Sequence, residues 1–290
     1  MATVSTTNVV DRFIGIMSLA LAGALLSLPI ESSAAPIIFS ASGADAAAIQ
    51  NTVDAFRAGL GANNGNVAGS QPTGHREINW DGGGAAANAT IFPSPMTTFN
   101  SGATTRGLVS TTPGAGLEIS GQPAPEFGDI NSSYPAIFQT FSAPRLFTAV
   151  GSNIIDVLFF EPGTNTPAAV TAFGAVFTDV DLANTTSLQL FSPAGISLGT
   201  FFAPTFNNGL SFLGLVSPDV IGRVRIVAGN TALGPNANDG GAVDVVALDD
   251  FIYGEPRAVD AVPEPVSLSL LGIGLGTLML RRRGRRSGSR

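Results

Sequence analysis

Ser187-Leu188-Gln189-Leu190-Phe191-Ser192-Pro193-Ala194-Gly195-Ile196-Ser197-Leu198-Gly199-Thr200-Phe201-Phe202 is the stretch whose reading decides the fold. Leu188 and Leu190 flank Gln189, and on an extended chain that spacing sends both leucines to one face and the glutamine to the other. Pro193-Ala194-Gly195 then separates two apolar runs with a fixed φ and a permissive glycine, the chemistry of a hairpin turn. The segment predicts two short antiparallel strands.

The same pattern extends outward. Val224 and Ile226 alternate with Arg223 and Arg225. From about residue 89 onward, short apolar runs are broken by Gly, Pro or Asn roughly every ten residues, as in a sandwich or barrel. Candidate strands lie at 107–110, 117–120, 154–160, 170–178, 187–191, 196–202, 210–216, 223–228 and 243–253. No 20–50-residue repeat is evident, which argues against a propeller or solenoid. The expected fold is all-β, a two-sheet jelly-roll-like sandwich.

One amphipathic helix precedes these strands. Ile49, Val53, Phe56 and Leu60 follow i, i+4, i+7, i+11 and share a face. Ser42 or Asp45 can cap its start and Gly61 its end, and it is expected to cover the sandwich as a lid or edge. Residues 61–74, rich in Gly, Asn, Pro and Ser, read as loop.

The two ends read differently from this middle. Residues 13–28 are apolar, sit behind Arg12 and stop at Pro29, and Ser32-Ser33-Ala34-Ala35 offers small residues for cleavage. This is a signal peptide over 1–34, cut after Ala34, with an uncleaved anchor as the alternative. At the other end, Val262-Pro263-Glu264-Pro265 precedes 266–280, 15 residues with no ionisable group. As a helix that span covers roughly 22 Å, short of the ~30 Å hydrocarbon core, so length alone also admits a core helix. The absence of a polar face favours a transmembrane segment. Arg281, Arg282, Arg283, Arg285 and Arg286 follow, a cluster over 281–286 that suits a cytoplasmic stop and can snorkel to ease the mismatch.

Pro-Glu-Pro, a short hydrophobic span and a terminal arginine cluster, in that order, resemble the PEP-CTERM protein-sorting signal. The resemblance covers about a tenth of the chain. It implies export across the inner membrane of a Gram-negative bacterium, with Pro263, Glu264 and Pro265 as the handle for an exosortase-type processing enzyme. It also implies association with extracellular polysaccharide or surface material. Three phrases in the middle resemble uncharacterised exported proteins bearing the same tail: Arg76-Glu77-Ile78-Asn79-Trp80-Asp81-Gly82, Phe177-Thr178-Asp179-Val180-Asp181-Leu182 and Leu248-Asp249-Asp250-Phe251-Ile252-Tyr253-Gly254. The expected organisation is therefore a signal peptide, an exported domain over 35–256, a linker over 257–261 and a sorting tail over 262–290.

Composition narrows what that domain can do. Residues 35–261 carry seven Arg and 18 acidic residues, a balance of −11, and the chain has no Lys. Such a surface repels phosphate backbones, so nucleic acid is not an expected partner. With no Cys there are no disulfides, and one His without Cys cannot complete a zinc shell.

The candidate chemistry is sparse. Gly195-Ile196-Ser197-Leu198-Gly199 has the spelling of a nucleophile elbow, yet a turn precedes it and a strand follows, and the sole base, His75, falls in a polar loop. Asp179 and Asp181, two apart on an extended chain, share a face, and Asn184 follows in the next loop. These oxygens fit either a calcium ion or a solvated strand end with an Asx turn. Asp249-Asp250 cannot chelate together without a bulge. If Asp249 faces the core it needs backbone donors or an ion, and Asp250 then points outward near Asp244. Trp80, between Asn79 and Asp81, reads as a sugar-stacking platform or as an anchor for its loop, with the anchor favoured.

These readings lead to a non-enzymatic surface or matrix protein. A calcium-assisted carbohydrate-binding module is the alternative, and an extracellular hydrolase the weakest reading. No catalytic residue and no obligatory cofactor is assigned.

Overall fold

The computed structural model describes residues 34–259. The expected signal peptide, the Pro263-Glu264-Pro265 motif, the hydrophobic span and the arginine cluster lie outside the described residues. Among the described residues, no helix is long and apolar enough to cross a membrane.

In chain order the elements are β1 (Ile37–Gly43), α1 (Ala46–Leu60), β2 (His75–Ile78), β3 (Thr90–Phe92), β4 (Asn100–Ser101), β5 (Thr104–Thr105), β6 (Leu108–Thr111), β7 (Gly116–Ile119), β8 (Phe147–Val150) and β9 (Ile154–Phe159). There follow β10 (Ala168–Val180), β11 (Ser187–Phe191), β12 (Ser197–Phe202), β13 (Phe206–Ile221), β14 (Arg223–Val227), β15 (Ala247–Gly254) and β16 (Arg257–Ala258). The hairpin at 187–202 forms as expected. Ser192 N–H donates to Ile196 O at 2.9 Å, Gly195 N–H donates to Ser192 O at 2.9 Å, and Gly195 takes a φ of 78°.

Two large antiparallel sheets result, with β4 and β5 forming a separate two-stranded ladder. The larger runs β1-β13-β10-β15-β8-β7-β3, with β2 beside β15 and β16 beside β10; the smaller runs β12-β11-β14-β9-β6. From β8 to β15 the chain crosses between the sheets at every connection except the β11–β12 hairpin. Alternation holds in the smaller sheet: Ile155, Val157, Phe159, Leu188, Leu190, Val224 and Ile226 are buried, and they join Phe173, Phe177, Leu213 and Leu215 of the larger sheet in one core. Each such side chain contributes about 1.5–3 kcal/mol by leaving water. Arg223 and Arg225 point out of that core and pair with Asp156 at 2.7 Å each.

The larger sheet departs from alternation because both its faces are covered. Helix α1 lies across its outer face, where Ile49, Val53 and Phe56 pack on Ala172, Val176, Leu210, Phe212 and Ile252. It covers a face and not an edge, which corrects the edge-cover expectation. The seat for Phe56 is a cross-strand glycine pair, Gly174 opposite Gly214. A Cβ on Gly174 would stand 2.9 Å from the Phe56 ring, and one on Gly214 3.0 Å from it. Asp45 caps the helix, accepting Ala48 N–H at 3.0 Å, and Gly61 ends it with a φ of 91°.

All nine expected strands are present. β10 and β13 extend well beyond their expected limits, to 13 and 16 residues, because neighbours on both sides continue the ladder. Strands β1, β2, β3, β4, β5, β8 and β16 were not anticipated.

Candidate functional site

Three stretches of the sequence, 76–82, 177–182 and 248–254, become neighbours in space. Residues 76–82 enter β2, 177–182 end β10 and 248–254 form β15, and β15 pairs with both of the others. Two groups of carboxylates lie along these strands.

The first is built on a bulge. Phe251 opposes Ala175 while Leu248 opposes Phe177, so three steps along β15 match two along β10. The distortion brings Asp249 and Asp250, both buried, to the same hydroxyl: Ser142 Oγ donates to Asp249 Oδ1 at 3.1 Å and to Asp250 Oδ1 at 2.6 Å. Asp249 Oδ2 also accepts Phe141 N–H at 2.6 Å and Ser142 N–H at 3.2 Å, the backbone donors that a core-facing carboxylate needs. Asp250 is not outward and not beside Asp244, contrary to expectation; the bulge turns it toward α1, where Arg57 Nη2 meets it at 2.9 Å. Burial, then the charge of Asp250, pushes the Asp249 carboxyl well above the usual range.

Arg57 also meets Glu77 at 2.9 Å, and His75 Nε2 approaches the same carboxylate at 2.7 Å. Burial alone would raise Glu77, but hydrogen bonds from His75 and Arg57 outweigh it and hold the carboxyl below the usual range. Arg57, Glu77 and Asp250 line a polar recess of about 290 Å³, with Asn63, Asn79, Arg106 and Ser142. The Arg57–Glu77–Asp250 arrangement has no signature in the sequence, since its members come from a helix and two strands far apart in the chain.

His75 does not lie in a polar loop. It opens β2, is buried, and both ring nitrogens are engaged, Nδ1 with Gly61 O at 2.8 Å and Nε2 with Glu77. Ser197 stands exposed at the start of β12 on the rim of the smaller sheet, so the elbow spelling has no elbow geometry. Trp80 is 2% exposed and offers no sugar platform. It stacks on Phe147 at 3.8 Å, meets Phe99 and Phe251 edge-on, and donates its indole N–H to Asp249 O at 2.9 Å. The anchor reading of Trp80 is the correct one.

Arg76, the neighbour of His75, is fully buried. It holds Glu255 through two hydrogen bonds of 2.9 and 2.8 Å and donates to the carbonyls of Gly65, Gly69 and Thr105. This pair ties the 61–74 loop to the end of β15.

The second carboxylate group sits where β10 ends. Asp179 has a φ of 68° and the register shifts between Thr178 and Val180, so the extended-chain argument for a shared Asp179–Asp181 face does not apply. The two carboxylates nevertheless converge, and the third group beside them is Asp239, with one oxygen from each lying within 4.8 Å of the others. Asn184, the expected third ligand, sits exposed in the following turn at a φ of 66°. Asp239 comes from a loop of Gly, Asn and Pro between β14 and β15, and only an acidic residue among glycines hints at it in the sequence.

Asp179 is fully buried; Oδ1 accepts Asn208 N–H at 2.7 Å, while no donor reaches Oδ2. Asp181 Oδ2 accepts from Asn207 at 3.1 Å, and its buried Oδ1 also lacks a donor. Burial, with Asp239 and Asp181 close by, pushes the Asp179 carboxyl up to about 8; burial and Asp181 push Asp239 up to about 6. None of the salt bridges among the described residues reaches these three acids.

A larger groove of about 1070 Å³ runs past Leu60, Pro72, Ala169, Pro193 and Val220 to Val259. It is mainly apolar, and the one carboxylate on its wall, Glu255, is held by Arg76. No protein-family model, curated protein or solved structure matches the chain.

Proposed function

We propose that this chain is an exported, non-enzymatic surface or extracellular-matrix protein, a β-sandwich delivered and sorted by its two ends. The apolar 13–28 segment with Ser32-Ser33-Ala34-Ala35 supports export. Pro263-Glu264-Pro265, the span 266–280 and the arginines at 281–286 support passage through the inner membrane and handling by an exosortase-type enzyme. Extracellular polysaccharide is the environment this implies. The alternation of consecutive strands between the two sheets supports a jelly-roll-like reading of the sandwich.

The observation that carries the non-enzymatic reading is the state of the chain's single histidine. His75 is buried, with one ring nitrogen on a backbone carbonyl and the other on a carboxylate that Arg57 also holds. Asp249, Asp250 and Glu255 are likewise engaged in holding loops. The carbohydrate-binding alternative loses Trp80 and keeps only the polar recess beside Arg57.

Protein recovered from its native host is expected to give an intact mass that begins after Ala34 and ends near Pro265. A full-length chain free in the cytoplasm would overturn the reading. Turnover of generic ester or glycoside substrates, lost on substituting one acidic residue, would replace it with the hydrolase. Glycan-array binding would favour the carbohydrate module.

A further inference from the structure

We propose that Asp179, Asp181 and Asp239 form a binding site for a divalent cation of the calcium class at the end of β10. The inference does not depend on export or on the tail.

The argument starts from the oxygens. Three acceptor-only groups placed this close repel one another unless positive charge stands between them. Among the described residues no salt bridge brings any there: the chain has no Lys, and the paired arginines serve Asp54, Glu77, Asp156, Asp250 and Glu255. A fully buried carboxylate oxygen without a donor is costly; Asp179 Oδ2 is such an atom, and Asp181 Oδ1, on the second acid of the same cluster, is another buried oxygen without a donor.

The surroundings are organised as a ligand set. Asn208 N–H holds Asp179 at 2.7 Å, Asn207 holds Asp181 at 3.1 Å, and Val245 N–H holds Asp239 at 3.2 Å. Each acid is thus oriented by a donor outside the cluster, as ligating carboxylates are. Asp244 fixes the backbone between them, accepting Asp181 N–H at 3.0 Å and the Thr185 hydroxyl.

Oxygen-only ligands and three negative charges select a hard divalent ion. Oxygens sharing one calcium at about 2.4 Å stand at most about 4.8 Å apart, and one oxygen of each of the three acids lies within 4.8 Å of the others. The smaller magnesium, at about 2.1 Å, demands a tighter approach. The ion would bind the loop carrying Asp239 to the end of β10 and so stabilise the fold on binding.

The test uses the full chain in mild detergent, stripped with EDTA and then titrated with calcium chloride or magnesium chloride. Calcium at about 1 mM, a concentration suited to extracellular sites, is expected to raise Tm by several degrees and to give saturable heat in calorimetry, with magnesium weaker. Asp239→Asn is expected to abolish both responses while leaving the EDTA-treated Tm unchanged or higher. It is the variant of choice because Asp179 is buried and Asp179→Asn can fail to fold. Asp54→Asn, on the exposed side of α1, is expected to respond as the unaltered chain does. The proposal is overturned if calcium changes neither Tm nor heat, or if Asp239→Asn responds fully. It is also overturned if Asp239→Asn raises Tm in a protein indifferent to calcium, the outcome for acids that share protons only.

Discussion

The two carboxylate groups of the larger sheet begin from the same kind of defect and end differently. Asp249 and Asp250 sit on a bulge in β15, Asp179 at a register break in β10. Around the first pair the protein provides Ser142, two backbone N–H groups and Arg57. Around the second, backbone and amide donors reach one oxygen of Asp179 and of Asp181 and leave the other oxygen of each buried without a donor. A sheet irregularity frees a carboxylate from the ladder. Whether it becomes a structural clamp or a site open to an ion then depends on what the loops bring to it.

The comparison breaks most readily at the first pair. Asp249→Ala leaves the Phe141 and Ser142 N–H groups without an acceptor and is expected to cost about 3 kcal/mol. That corresponds to a fall in Tm of about 6–12 °C by thermal unfolding, with the calcium response retained. A fall as small as that of a surface substitution would mean the clamp holds nothing. Arg57→Ala comes next, leaving Asp250 and Glu77 without their cation. Because Arg57 is part exposed, the expected cost is about 1–2 kcal/mol, read as a lower denaturant midpoint at unchanged m-value.

Glu118 sharpens the comparison, as a buried carboxylate outside the cluster of three whose acidic neighbour is Asp129. Its Oε1 has no partner, and burial, then Asp129, pushes the carboxyl up to about 7 from an ordinary 4.5. The folded state therefore favours the protonated form. Its contribution is full below pH 4.5 and is lost as pH rises through about 7. Glu118→Gln is expected to flatten this loss, raising Tm relative to the unaltered chain at pH 8 and changing it little at pH 4. Equal Tm differences at both pH values would refute the assignment. The smallest effect is expected at Ser197, exposed on an outer strand, where Ser197→Ala should stay within about 0.5 kcal/mol in the same unfolding assay.

Legibility follows the range of the interaction. The helix face of Ile49, Val53 and Phe56, the Asp45 cap and the Pro193-Ala194-Gly195 turn are set by residues within a few positions of each other, and all stand as read. Strand β8 escaped notice because Phe147–Val150 is short and lies after a proline-rich loop. His75 was misplaced in a polar loop because polar neighbours in sequence say nothing about what later strands lay over it.

From the sequence alone came the mostly-β architecture, the amphipathic helix Ala46–Leu60 and the acidic balance, because period, turn chemistry and net charge are local or additive properties. Which carboxylates meet was a matter for the tertiary structure. Arg57 finds Asp250 across 193 residues of chain, and Asp179 finds Asp239 through a register break and a distant loop. No local pattern encodes such pairings, since they arise from how two sheets, a helix and their connecting loops exclude water together.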